Sequence, residues 1–106
     1  MRRLAATLIL LAGTALPALA QTEPGDPAAG RRLAETWCAN CHRIAPQGPG
    51  PVSDAAPAFA AVAAMPSTTR MALTAFLQTP HPRMPNYHLS REEMDDVIAY
   101  LLSLRR

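Results

Sequence analysis

Residues 38–42 read Cys38-Ala39-Asn40-Cys41-His42 and contain both cysteines of the 106-residue chain. Two thiols three positions apart, with a histidine directly behind them, form a compact C-x-x-C-H donor set. What surrounds the pentapeptide decides which chemistry it serves. Upstream, Asp26-Pro27 reads as a helix start, Asp capping free N–H groups and Pro suiting the first helical position. Leu33 and Trp37 then stand four apart with Ala29, Gly30 and Ala34 beside them, which predicts a helix over 27–39. Gly30 weakens a helix, so its place there points to close packing against the backbone. The pentapeptide closes a helix.

Downstream, Pro46, Pro49, Pro51, Pro57 and Pro66 exclude long regular elements from 43–66, leaving room for one short helical turn over Ala58–Ala64. Ser67 or Thr68 can cap a further helix through about Gln78, with Leu73, Phe76 and Leu77 on one face. The three prolines of Thr79-Pro80-His81-Pro82-Arg83-Met84-Pro85 hold an extended, rigid loop. Ser90-Arg91-Glu92-Glu93 reads as a capping box. The helix it opens has Glu92, Glu93, Asp95 and Asp96 at its positive end and Arg105 and Arg106 at its negative end. Met94, Val97, Ile98, Leu101 and Leu104 make its apolar stripe. No stretch alternates with period two and no repeat is present. The fold class is all-α, with a middle helix and proline-stiffened loops between two terminal helices.

Composition narrows the function. The length allows one domain. Hydrophobic residues reach 49%, but 21 of the 106 residues are Ala and aromatics are only 5%. Eleven prolines against five glycines favour stiff loops. A multidomain enzyme, a coiled coil and a disulfide-dense mini-protein are excluded. At the start, Arg2 and Arg3 precede an uncharged apolar stretch, Leu4 to Leu16, then Pro17 and the small-x-small Ala18-Leu19-Ala20. That is the pattern of a secretory signal peptide over residues 1–20, cleaved after Ala20, and the stretch falls short of the roughly 20 residues a membrane span needs. The expectation is export to the periplasm, with no membrane span after cleavage and residues 21–106 as the working domain. Removing 20 residues from 106 leaves 86, with eight Arg against eight acids. No charge excess remains to attract nucleic acid. So small a domain with so few large apolar residues needs something more in its middle.

The pentapeptide can supply it. At this spacing the thiols of Cys38 and Cys41 can form thioether bonds to the two vinyl groups of one haem, and His42 then lies under the ring as an iron ligand. One covalent haem c would stay with an exported protein and complete its core. A disulfide or redox-active dithiol is the first rival, but that motif usually opens a helix after a strand. Zinc is the second, and Cys38, Cys41 and His42 alone make a poor tetrahedral set.

With these features the chain resembles the class I c-type cytochromes, in particular the small bacterial single-haem members, over essentially all of residues 26–106. The resemblance rests on Gly30 eight residues before Cys38, the Cys38-x-x-Cys41-His42 motif, a late Met-Pro and an aromatic, Tyr100, in the last helix. It implies a cytochrome c-like fold in which the first and last helices cross at Gly30 and Tyr100 packs at the crossing. One departure is Ala34, where the family commonly has an aromatic; Trp37 is the residue nearby that could fill that region.

On the residues alone, the sixth iron ligand is open among Met65, Met71, Met84, Met94, His81 and His88. Met94 and Met71 sit on helices and read as packing; His81 and His88 read as exposed loop histidines. Met65 and Met84 both precede Pro in loops. The family's ligand Met occupies the Pro-rich loop before the last helix, which implies Met84. It also implies that a Pro carbonyl after the motif (Pro49, Pro51 or, by preference, Pro57) accepts from His42. Leu73, Phe76, Leu77 and Leu101 are expected along the haem wall, as plain core packing also predicts, and Asn86, Tyr87 and Arg83 are candidates to bond its propionates or to steady the ligand loop. The function implied is a periplasmic carrier of single electrons between redox partner proteins, with no catalysis of its own. The rivals are a subunit fixed to a periplasmic dehydrogenase or oxidase, and a ligand binder or sensor with a labile sixth site.

Overall fold

In a computed structural model, residues 23–51, 53 and 56–105 are described, together with Gly13, Ala15 and Pro17. The signal peptide expected over 1–20 lies, apart from those three positions, outside the described residues. Four helices follow in order: α1 Pro27–Trp37, α2 Phe59–Ala64, α3 Arg70–Gln78 and α4 Arg91–Ser103. No strand occurs among the described residues, and no helix among them is long and apolar enough to cross a membrane.

The caps follow local chemistry. The Asp26 carboxylate accepts from the N–H of Ala28 at 2.9 Å, and Pro27 takes the first helical position. Ser90 and Glu93 close the capping box, each side chain accepting from the other's backbone N–H, at 3.1 and 2.8 Å. For α3 the cap is Thr69, one residue after the pair expected: its hydroxyl accepts from the N–H of Ala72 at 3.1 Å. Thr68 is instead buried, because its hydroxyl donates to the carbonyl of Val62 at 2.6 Å and ties the turn back to α2. α1 ends at Trp37, two residues earlier than expected. The N–H groups of Cys41 and His42 there turn onto the carbonyl of Cys38, at 3.1 and 2.9 Å.

α1 crosses α4, and the crossing depends on Gly30. A Cβ at that position would stand 1.9 Å from the carbonyl oxygen of Asp96. The backbones touch where only a glycine lets them. Around this contact the core gathers Ala34, Phe59, Leu73, Val97 and Ile98, with Ile98 fully buried. Tyr100 is buried beside them and donates from its hydroxyl to the carbonyl of Ile44 at 2.9 Å, fastening the loop after the pentapeptide to α4.

Two long cations pin the ends. Arg70 holds the segment before α1, donating to the Glu23 carboxylate at 3.0 Å and the Pro24 carbonyl at 2.9 Å, with Asp95 at 3.4 Å. Arg105 does not serve the end of α4, as the dipole argument has it, since the helix stops at Ser103. Its guanidinium reaches to the carbonyls of Ala63 and Thr68 and closes the end of α2. Arg106 lies outside the described residues.

Candidate functional site

The turn after α1, the helices α2 and α3 and the proline loop 79–89 enclose an apolar crevice. It has two adjoining halves of about 910 and 1220 Å³, open mouths included, both walled by Cys38, His42, Leu73, Phe76 and Met84. Cys41 lines the second half. Leu77 and Leu101 line the first, Arg83 the second and Tyr87 both. Asn86 lines the first as well. Short proline-bounded elements make this shape possible, because no long helix or strand fills the space between α1 and the loop.

His42 is held in one orientation. Its Nδ1 donates to the carbonyl oxygen of Pro57 at 2.6 Å, and its ring meets Phe59 edge-on at 5.4 Å between centroids. A carbonyl only accepts, so the proton sits on Nδ1 and Nε2 keeps its lone pair. This is the form in which an imidazole binds a metal, and a backbone carbonyl behind it raises its basicity. Of the three prolines considered, Pro57 is the partner.

Cys38 and Cys41 are not joined to each other as a disulfide. Burial, and then the neighbouring Cys41, pushes the Cys38 thiol up to about 11. Without a cofactor attached it would stay protonated at neutral pH, unlike the exposed, low-pKa thiolate of a dithiol exchange nucleophile. Among the described residues no three His, Cys, Asp or Glu side chains converge on a point that could hold a bare metal ion. An apolar crevice with two thiols at its edge, and with an oriented imidazole and a thioether both in its wall, fits a haem.

The other candidates separate cleanly. Met84 is half-buried and lines both halves of the crevice, while Met65 is 45% exposed and reaches only the second. Met94 is buried in α4, as the packing reading has it. Met71 is not packing: it is 82% exposed, on the outer face of α3. His88 is exposed, as expected. His81 is not. It is half-buried in the crevice wall, its ring tilted over Phe76 at 4.1 Å. Its place between Pro80 and Pro82, three residues before Met84, was the available signal: a rigid loop that aims Met84 inward carries its near neighbour along. Trp37 does not fill the place of a larger residue at Ala34. Ala34 is fully buried in the core, and Trp37 stands half-exposed at the crevice mouth against Tyr87, 5.2 Å between ring centroids. Val62 of α2 lines the crevice too, and a lone Val in an Ala-rich turn gave no sign of it.

Comparison with known proteins agrees with this geometry. Residues 27–105 match the family model of cytochrome c. The chain is similar to cytochrome c-552 of Bradyrhizobium diazoefficiens, 45% identical over 80 residues, which is 76% of each chain. No solved structure matches significantly. The crevice, its two thiols and its oriented imidazole thus have the ancestry their chemistry calls for: the chain belongs to the cytochrome c family, as a single-haem electron-transfer protein with covalently attached haem c.

Proposed function

We propose that the chain is an exported carrier of single electrons, with haem attached at Cys38 and Cys41 and its iron held between His42 and Met84. The observation that carries the assignment is that His42, locked through Nδ1 to Pro57, and the half-buried Met84 both line the same apolar crevice. Bound there, haem supplies a one-electron couple between ferric and ferrous iron, with a potential raised by a thioether ligand. The protein's part is to keep the two donors fixed. Pro57 prevents His42 from turning, and Pro80, Pro82 and Pro85 restrict the loop around Met84, which makes a turn at Pro82-Arg83 rather than running extended as the prolines alone suggest. A site whose ligands stay in place in both oxidation states costs little reorganisation at each transfer.

The chain itself transforms no substrate in this reading; its partners are redox proteins that dock near the crevice mouth, where Trp37, Phe76 and Tyr87 are about half exposed. Export to the periplasm is supported by the leader over residues 1–20. Ferric protein purified with haem tests the ligand assignment through the far-red thioether-to-iron absorption band. Met84→Ala should abolish that band and Met65→Ala should leave it intact; the reverse pattern would transfer the role to Met65.

A further inference from the structure

His42 and His81 line the same crevice, and their rings are hydrogen-bonded alike. The Nδ1 of His81 lies 2.8 Å from the carbonyl oxygen of Thr79. That oxygen can only accept, so Nδ1 carries the proton and Nε2 keeps a lone pair, as in His42. Nε2 of His81 is buried and makes no hydrogen bond among the described residues. A buried acceptor without a partner carries a desolvation penalty that any suitable partner would relieve. The ring is packed on Phe76 in the crevice wall and prepared as a metal ligand, with Nε2 bound to none of the described residues.

Two residues separate His81 from Met84, and one of them is strained. Arg83 has φ 70°, in the left-handed region that a residue with a Cβ seldom adopts. Relaxing that one residue is a route by which Met84 can leave and the loop can bring His81 forward. His88 also has positive φ, 51°, but it is exposed and lines a separate polar groove with Arg91. It does not compete.

We propose that His81 is a reserve iron ligand: when the thioether of Met84 is off the iron, the His81 imidazole takes the distal position through Nε2. The haem iron then stays six-coordinate and closed to small ligands, so an electron carrier does not become a gas-binding or peroxide-binding haem. This rests on the reading of Met84 as the resting ligand.

The test uses haem-loaded protein, with spin state read by electron paramagnetic resonance and carbon monoxide binding read on the reduced form. Met84→Ala should remain low-spin and bind the gas roughly a hundredfold more weakly than Met84→Ala/His81→Gln, which should be high-spin. His81→Gln alone should keep the far-red thioether band. Proposal and premise fail differently. If Met84→Ala is high-spin and binds the gas as readily as the double variant, His81 does not reach the iron and the proposal falls. It falls equally if the double variant stays low-spin, because another donor then does the work. A thioether band that survives in Met84→Ala overturns the premise and the proposal with it. Should Met84→Ala not accumulate, wild type and His81→Gln are compared through a urea titration after the thioether band has gone. Wild type should then be low-spin and His81→Gln high-spin; both turning high-spin together would overturn the proposal.

Discussion

His42 takes its orientation from a residue fifteen positions later, the 2.6 Å acceptor at Pro57, and Tyr100 ties the same loop to α4 through Ile44. Burial raises the Tyr100 hydroxyl above its ordinary value; the proximity of Arg31 opposes this and that of Glu35 adds to it. The folded protein therefore holds that proton more tightly than the unfolded chain, and the stability involved is fully present below pH 10, the ordinary value. It is lost as the pH climbs past that point through the raised folded value. Tyr100→Phe should cost about 1–2 kcal/mol at neutral pH, because the Ile44 carbonyl loses its buried donor. The variant should also lack the part of the alkaline decline that Tyr100 causes. Denaturant titrations at pH 7 and above pH 10 check both, and a variant as stable as wild type at pH 7 would remove the tether from the account. At this scale the sequence was legible where chemistry is local. The C-x-x-C-H spacing names Cys38, Cys41 and His42 unaided, but nothing in a Met-Pro pair tells an exposed Met65 from a half-buried Met84 until the loop has a place in space. The resemblance to the family pointed to Met84, and burial supports it.

Among the elements, the crossing of α1 and α4 sets the frame. Its determinant, Gly30, was readable because a glycine inside an otherwise good helix is unfavourable unless something needs the space. Gly30→Ala would drive a methyl into the Asp96 carbonyl, 1.9 Å from the ideal Cβ position. The oxygen it meets belongs to backbone and the methyl is fixed to the backbone of α1, so the helices must part, and the expected loss is about 2–3 kcal/mol. Thermal unfolding of the haem-loaded variant measures it; an unchanged midpoint would mean that the helices cross elsewhere. Helix existence followed from the capping box at Ser90 and the Asp26-Pro27 start, which act within one turn. The errors came from tertiary bonds. Thr68 left its capping role to Thr69 because Val62 offers it a buried acceptor, and Arg105 serves α2 because that helix end, forty residues away in sequence, lies within its reach. Arg105→Ala should therefore weaken the α2–α3 corner by about 1–2 kcal/mol, read as faster amide exchange at Met65 and Thr68, whose N–H groups bond within that corner. Exchange unchanged there, but faster in α4, would restore the dipole reading.

For the molecule as a whole, the shortage of large apolar residues and the crevice are two views of one fact. The helices do not close on each other between α1 and the proline loop, and the fold is finished by a group the chain does not encode. Charge is balanced overall. Arg31 is paired with Glu35 at 2.8 Å, and Arg70 with Glu23 and Asp95. The chain from Gln21 onward carries eight Arg and eight acids. Partner association should accordingly depend little on salt, its rate changing by less than about threefold between low and physiological ionic strength. Stopped-flow reduction at two salt concentrations measures this, and a steep dependence would reveal a charged docking face. The measurement that tests the central claim most directly is an optical spectrum of the purified protein, oxidised and reduced, with and without carbon monoxide. The account predicts a c-type spectrum with a far-red thioether band when oxidised, and a reduced spectrum that the gas does not move. A large shift with the gas would show an open sixth position and contradict the closed electron carrier described above.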